Sequence, residues 1–212
     1  MRMSKNLGEV LDKAPDQGRE EPWSSTPDGG IVYLRRARPE ELPELYALAQ
    51  AEIGQDIATY DTVQSLYNHN RDSIWSVYRA SDNTRADAKL IGWYGLVYLT
   101  QPGTEQLEAG TFDGRDLDLR LVVPTATRPA SIYVWVVIAR RHARIATWLI
   151  ANALGAEIYG GVPIYAKAGT TGGLQAIKGY GFAGTEREQN VGKLFRLDRP
   201  APASSSGSSS AA

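Results

Sequence analysis

The chain reads as a mixed α+β fold, one sheet with helices set at intervals along it. Three observations carry that reading. Apolar segments of strand character bunch in the middle of the chain and do not alternate regularly with helices, which disfavours a doubly wound sheet. Residues 131–152, SIYVWVVIARRHARIATWLIAN, join a β-branched and aromatic run to a helical pattern through a basic turn. Residues 116–123, DLDLRLVV, begin with leucines alternating with charged residues, at the period of a strand.

Taken in order, residues 31–37 (IVYLRRA) predict a short strand. Pro39 then opens a helix at the position proline favours. Leu42, Leu45, Tyr46, Leu48 and Ala49 give that helix an apolar stripe. Asp61 is a candidate cap for a second helix carrying Val63, Leu66 and Tyr67. Residues 73–80 and 90–100 predict two strands joined by the polar loop 81–88. Residues 101–114 read as a long, Gly-rich, acidic connection. Residues 116–123 predict a half-buried strand, with Leu117, Leu119 and Leu121 on one face and Asp116, Asp118 and Arg120 on the other. A buried strand over 132–138 feeds the basic turn Arg140, Arg141, His142, Ala143, Arg144. The helix after it carries Ile145, Trp148 and Leu149 on one stripe and stops at Gly155. A strand over 162–168, a short helix through Leu174, Ile177 and Lys178, and a last strand over 191–197 complete the order. Residues 1–30 read as a flexible leader, 31–199 as one folded domain, and the Pro/Ala- and Ser/Gly-rich residues 200–212 as a disordered tail.

Composition narrows the function classes. A net charge of −1 offers no global field for nucleic acid or an anionic membrane, so neither is an expected partner. The chain has no cysteine, which excludes disulfides, thiolate metal sites and cysteine nucleophiles. Two histidines, without an acidic metal-binding spacing, give no expected metal site. The N-terminus lacks signal-peptide character and no apolar run approaches a membrane span, so a cytoplasmic protein is expected.

The strand, basic turn and helix of 131–152 form an anion site in outline. The first-turn N–H groups and the positive dipole end point at whatever sits there. The arginines are disfavoured at that helix end by roughly 0.3–1 kcal/mol each, a cost that a phosphate-bearing ligand or an acidic neighbour would offset. A solvated basic turn is the alternative. The segment 179–184 matches G-x-G-x-x-G but follows a helix, so the dinucleotide mechanism does not apply.

On these residues the chain resembles the GNAT acyltransferases, which move acyl groups from coenzyme A to amines. The resemblance covers about 31–199 and rests on element order and two segments. Arg141-His142-Ala143-Arg144-Ile145-Ala146 is similar to the family turn Arg/Gln-x-x-Gly-x-Gly/Ala, with Arg144 in place of the central glycine. Ile177-Lys178-Gly179-Tyr180-Gly181-Phe182 is similar to the family's Tyr-x-x-x-Gly-Phe, with Ile177 in place of tyrosine. Residues 34–42 also resemble the family's first strand and helix.

The resemblance implies a GNAT-like, mostly antiparallel sheet flanked by helices. It also implies acetyl-CoA or another acyl-CoA as cofactor. His142, Ala143, Arg144, Ile145, Ala146 and Thr147 match the pyrophosphate cradle, with Arg141 beside it. Val134, Trp135 and Val136 match the backbone that takes the pantetheine arm as an added strand. Arg144 either clamps a phosphate oxygen or blocks the cradle.

Catalytic groups are thinner. The family's base and acid positions fall on the region of Ile164, Tyr165 and Ala166 and on Ile177. Tyr165 and Tyr180 are the nearby hydroxyls, Tyr180 also reading as core. Asp116 and Asp118 could supply a base, or could line a solvated sheet face. The implied activity is N-acetyltransfer to a small-molecule or protein amine, with a second copy of the chain as a further candidate partner. The rivals are a degenerate CoA-sensing or protein-binding module and an acylator of aminoacyl-tRNA.

Overall fold

The computed structural model describes residues 22–54, 57–139, 141–155, 158–185 and 190–199. Their strands are β1 (Trp23–Ser25), β2 (Ile31–Arg36), β3 (Ile74–Ala80), β4 (Lys89–Leu99), β5 (Ser131–Ile138), β6 (Ile164–Lys167), β7 (Ala183–Gly184) and β8 (Leu194–Leu197). They form one sheet in the order β1-β2-β3-β4-β5-β6-β8-β7. Every neighbouring pair is antiparallel except β5 and β6, which run parallel. This is the mixed, mostly antiparallel α+β sheet expected from the sequence.

Helices cover both faces. α1 (Leu42–Ile53), α2 (Tyr60–His69) and α3 (Gln101–Glu108) lie on one face, where Leu45, Leu66 and Leu107 pack with Trp93 and Val97 of β4. α4 (Ala143–Ala153) lies on the other, where Ala146, Leu149 and Ile150 pack with Val32, Leu34, Leu96 and Ile132. The alternation of β4 makes this possible, since its successive side chains enter opposite cores. α5 (Thr171–Gly179) is different: none of its residues is buried.

Several expectations need correction. Trp23–Ser25 pairs with Ser25↔Ile31, Ser24↔Val32 and Trp23↔Tyr33, so the fold begins within the expected leader. The rest of that leader, 1–21, and the tail 200–212 lie outside the described residues. Residues 101–108 form α3, where an irregular connection was expected. Thr100 caps it by accepting from Gly103 N–H at 3.2 Å, and Pro102 occupies its first turn. Gly103 weakens the helical pattern in the sequence, but tertiary contact requires it: a Cβ there would lie 2.5 Å from the Leu121 carbonyl oxygen. The cap of α2 is Thr59, which accepts from Thr62 N–H at 3.2 Å; Asp61 sits inside the first turn.

The largest correction concerns 116–123. No strand forms there. Asp118 accepts from Arg120 N–H at 2.9 Å and starts a 3₁₀ turn over Leu119–Leu121. Only a single bridge, Leu99↔Val122, touches the sheet. Leu117 and Leu121 still pack against the core, so alternation reported burial correctly but not the backbone state.

Candidate functional site

The site begins with β5 leaving its neighbour. β5 pairs with β6 only through Ile132, Tyr133 and Val134. On its other side it stays paired with β4 as far as Ile138. Among the described residues, nothing pairs with the β6-facing edge of Trp135, Val136, Val137 and Ile138. A bulge between Gly95 and Leu96 leaves Trp135 without an opposite partner, and such a bulge bends a strand at that point. The open edge presents backbone donors and acceptors to any extended amide-bearing chain.

Gly92 brings the end of β5 close to β4. A Cβ at Gly92 would lie 1.9 Å from the Ile138 carbonyl oxygen and 2.7 Å from the Ala139 Cα. The next turn hangs on Ala139, whose carbonyl accepts from His142 N–H at 2.8 Å. The position of the basic turn thus depends on a glycine on the neighbouring strand.

α4 starts without a side-chain cap. His142 is its N-cap and makes no capping bond, whereas α2, α3 and α5 are capped by Thr59, Thr100 and Thr170. The first helical return bond runs from Ala146 N–H to the His142 carbonyl at 3.0 Å. The amides of Ala143, Arg144 and Ile145 therefore precede the helical ladder, as first-turn amides do. Arg141, Ala143 and Arg144 are exposed, His142 and Ile145 are half-buried, and Ala146 is buried. Arg144 points to the surface rather than into the core. Arg140 of the same turn lies outside the described residues.

Thr147, one turn in, ties this helix end to Tyr94. Its hydroxyl lies 2.5 Å from the Tyr94 hydroxyl, with the Tyr180 phenol near enough to feel it. Burial pushes the Tyr94 phenol up, with Thr147 opposing. Burial likewise raises Tyr180, while Thr147 and the nearby Arg144 charge pull it back. Tyr180 packs against the core through its ring but is only half-buried, so it is not purely a core residue.

The two expected catalytic groups are both committed to other partners. Tyr165 lies on the opposite face of the sheet from α4, packed with Trp93 and Leu107. Its hydroxyl donates to Glu108 Oε1, and Arg196 Nη1 donates to that hydroxyl at 3.1 Å and to Glu108 Oε1 at 3.3 Å. Burial, reinforced by the Glu108 bond and opposed by Arg196, pushes the Tyr165 phenol up to about 12. A phenol so placed is a reluctant proton donor near neutral pH. Asp118 is half-buried at the start of its 3₁₀ turn and bound by Arg120 through both carboxylate oxygens. The Arg120 side-chain and backbone bonds hold its carboxyl below the ordinary range, which makes it a weak base.

The structure places Val134, Trp135 and Val136 on β5 and His142 to Thr147 around the start of α4; Tyr165 pairs with Tyr133 on the neighbouring strand with its hydroxyl committed to Glu108 and Arg196, and Asp118 lies on a separate turn. It adds Tyr94 and Gly92, which sequence reasoning passed over, and sets Tyr180, named there as a nearby hydroxyl, half-buried against the core beside α4. Only Tyr180 carried a signal, through its place in the segment 177–182. No helix among the described residues is long and apolar enough to cross a membrane.

No family model and no curated protein matches the chain. Among solved structures it is similar to Ard1 from Thermoplasma volcanium, at 13% identity and a TM-score of 0.49, over 80% of this chain and 97% of that one. It is also similar to a histone acetyltransferase HPA2 and related acetyltransferase from Corynebacterium glutamicum, at 14% identity and a TM-score of 0.43, over 79% of this chain and 96% of that one.

Proposed function

We propose that this protein is an acyl-CoA-dependent N-acyltransferase, with acetyl-CoA as donor and a small-molecule or protein amine as acceptor. The observation that carries the reading is the open edge of Trp135 to Ile138 running directly into the uncapped start of α4. The two halves suit the two halves of coenzyme A. The edge offers alternating backbone donors and acceptors to the amides of the pantetheine arm. The first-turn amides, with Arg141 and Arg144, suit a pyrophosphate. Bound there, an acyl-CoA supplies an activated acyl carbonyl and a thiolate leaving group.

The chain's own residues then have limited tasks. The edge of β5 orients the extended arm, and the α4 amides hold its charged end. Holding two reactants in register lowers a barrier without a side-chain base, because the entropy of encounter is lost on binding. Tyr180, whose burial is opposed by Thr147 and the Arg144 charge, is the hydroxyl beside α4 that takes the proton-donor role Ile177 cannot fill. Arg144, directed outward, clamps phosphate.

Titration calorimetry with acetyl-CoA tests the cofactor, and thiol release across an amine panel tests the reaction. Saturable binding with an Arg144→Ala loss of about ten-fold is expected, the value of one charge-assisted bond. Tighter binding by Arg144→Gly would instead mean that Arg144 blocks the cradle. Absence of binding at millimolar acetyl-CoA would remove both cofactor and chemistry.

A second reading is a CoA-binding module without catalysis. The states of Tyr165 and Asp118 favour it, since one phenol is raised to about 12 and one carboxylate is committed to Arg120. CoA binding without thiol release over the whole amine panel would select it.

A further inference from the structure

The open edge of β5 begins at Trp135, the residue just past the last β5–β6 pair, Val134↔Ala166. The Trp135 backbone lies on that edge, and its indole lies on the face of the sheet opposite α4. Two glycines border that indole. A Cβ at Gly95 of β4 would lie 3.2 Å from Trp135 Cε3 and 3.1 Å from Trp93 Cζ3, and a Cβ at Gly114 would lie 3.0 Å from Trp135 Nε1. A side chain at either position would therefore crowd the ring. Phe112, two residues before Gly114, meets the Tyr133 ring edge-on, with centroids 5.9 Å apart. Trp93, Phe112, Tyr133 and Trp135 thus belong to one aromatic group, of which Tyr133 and Trp135 are only half-buried.

The ionisable groups around these rings offer no free base. Burial alone pushes the Tyr133 phenol up to about 12, so it stays protonated at neutral pH. Asp113 accepts from Arg115 N–H at 2.8 Å, which holds its carboxyl below the ordinary range. Asp116 is exposed, Asp118 is bound by Arg120, and Glu108 is bound by Tyr165 and Arg196. An aliphatic amine is charged at neutral pH and has no lone pair to attack with until a base removes its proton. Cation–π contact could hold such an ammonium on the rings without freeing that lone pair. An aromatic amine differs on both counts. Conjugation with its ring keeps the nitrogen uncharged at neutral pH, and the ring itself packs on Trp and Tyr faces.

Building on the acyl-transfer reading, we propose that the acceptor is a weakly basic aromatic amine, its ring against Trp135 and Tyr133 and its nitrogen at the thioester held on the β5 edge. The nitrogen lone pair forms the N–C bond, and the C–S bonding pair leaves with sulfur. Sulfur takes a proton from Tyr180, and the proton lost by nitrogen returns to Tyr180 through water. No carboxylate is needed as base.

4-Methylaniline is the probe, with its isomer benzylamine as the aromatic amine that is charged at neutral pH. Thiol release from acetyl-CoA at neutral pH should show a kcat/KM about ten-fold or more higher for 4-methylaniline. Its profile should be flat over about pH 6 to 8, while benzylamine should gain about ten-fold per pH unit as its neutral fraction grows. Tyr133→Leu should raise KM for 4-methylaniline about ten-fold, and Tyr133→Phe, which keeps the ring, should hold it within a few-fold. Circular dichroism on both variants separates a lost site from a lost fold. Acetyl-CoA binding with benzylamine preferred, or with KM unmoved in folded Tyr133→Leu, would overturn the aromatic acceptor alone. No acetyl-CoA binding, or no thiol release with any amine, would overturn the acyl-transfer reading and this acceptor with it.

Discussion

Gly92→Ala is the sharpest test of how the basic turn is positioned. The added methyl would sit 1.9 Å from the Ile138 carbonyl oxygen, where contacts below 3.0 Å are essentially never found. The end of β5 must therefore move away from β4 by more than an ångström. That displacement breaks hydrogen bonds of ordinary length around Trp93↔Ile138 and Tyr94↔Val137. Two ladder bonds at about 0.5–1.5 kcal/mol each, with about 1–3 kcal/mol of packing strain, give a loss of about 2–6 kcal/mol. For a domain of this size that is a Tm lower by about 5–20 °C. Thermal melts followed by circular dichroism measure it, and urea unfolding supplies the free energy. Gly172→Ala in α5 is the control. Nothing lies within 4 Å of its added Cβ, and helix propensity should stabilise it by up to about 1 kcal/mol. If Gly92→Ala melted within roughly 2 °C of the parent, the close approach and its hold on the turn would be refuted. At temperatures where Gly92→Ala remains folded, its CoA affinity should also fall, because Ala139 carries the bond that shapes the turn.

Thr147→Val keeps the side-chain volume but strips the buried Tyr94 hydroxyl of its 2.5 Å partner; urea unfolding should show a loss of about 1–3 kcal/mol. Tyr180→Phe should lower the rate of thiol release about 10²-fold or more while leaving CoA affinity within a few-fold, and an unchanged rate would remove Tyr180 from proton transfer. Glu41 tests the pH dependence of the fold. Burial alone would raise its carboxyl, but bonds from Tyr78, the Arg38 amide and Ser76, with the Arg35 charge, hold it below the usual range. A depressed carboxylate stabilises the fold above the unfolded value of about 4.3, and that stability is lost as pH falls through the lower folded value. Urea midpoints measured from pH 7 down to pH 3 should therefore fall less steeply for Glu41→Gln than for the parent.

Much of the fold was legible because hydrophobic period reports burial. The strands at 31–36, 74–80, 89–99 and 131–138 and the helix at 143–153 lie where the apolar pattern puts them. The failures share a cause. At 116–123 the leucines alternate and two of them do pack inward, yet an Asp118 turn satisfies the backbone that a strand would have paired. At 101–108 glycine masked a helix, because Gly103 answers to the Leu121 backbone, which is distant in sequence. The site divided in the same way. The apolar strand, the basic turn and the helix start are local and could be read as a track for an anion. What Tyr165 does depends on contacts from afar, since burial and then Glu108 of α3 raise its phenol and Arg196 of β8 binds it.

By itself, then, the sequence determined a mixed sheet with a basic strand–turn–helix at its centre, since side-chain period and helix-start chemistry act over a few residues. Only tertiary structure decided that β5 parts from β6 beyond Val134, that Gly92 holds the turn in place, that Tyr94 meets Thr147, and that Tyr165 meets Glu108 and Arg196. Each of those facts is a contact between segments far apart in the chain, and pairing, close approach and burial exist only once the segments are brought together.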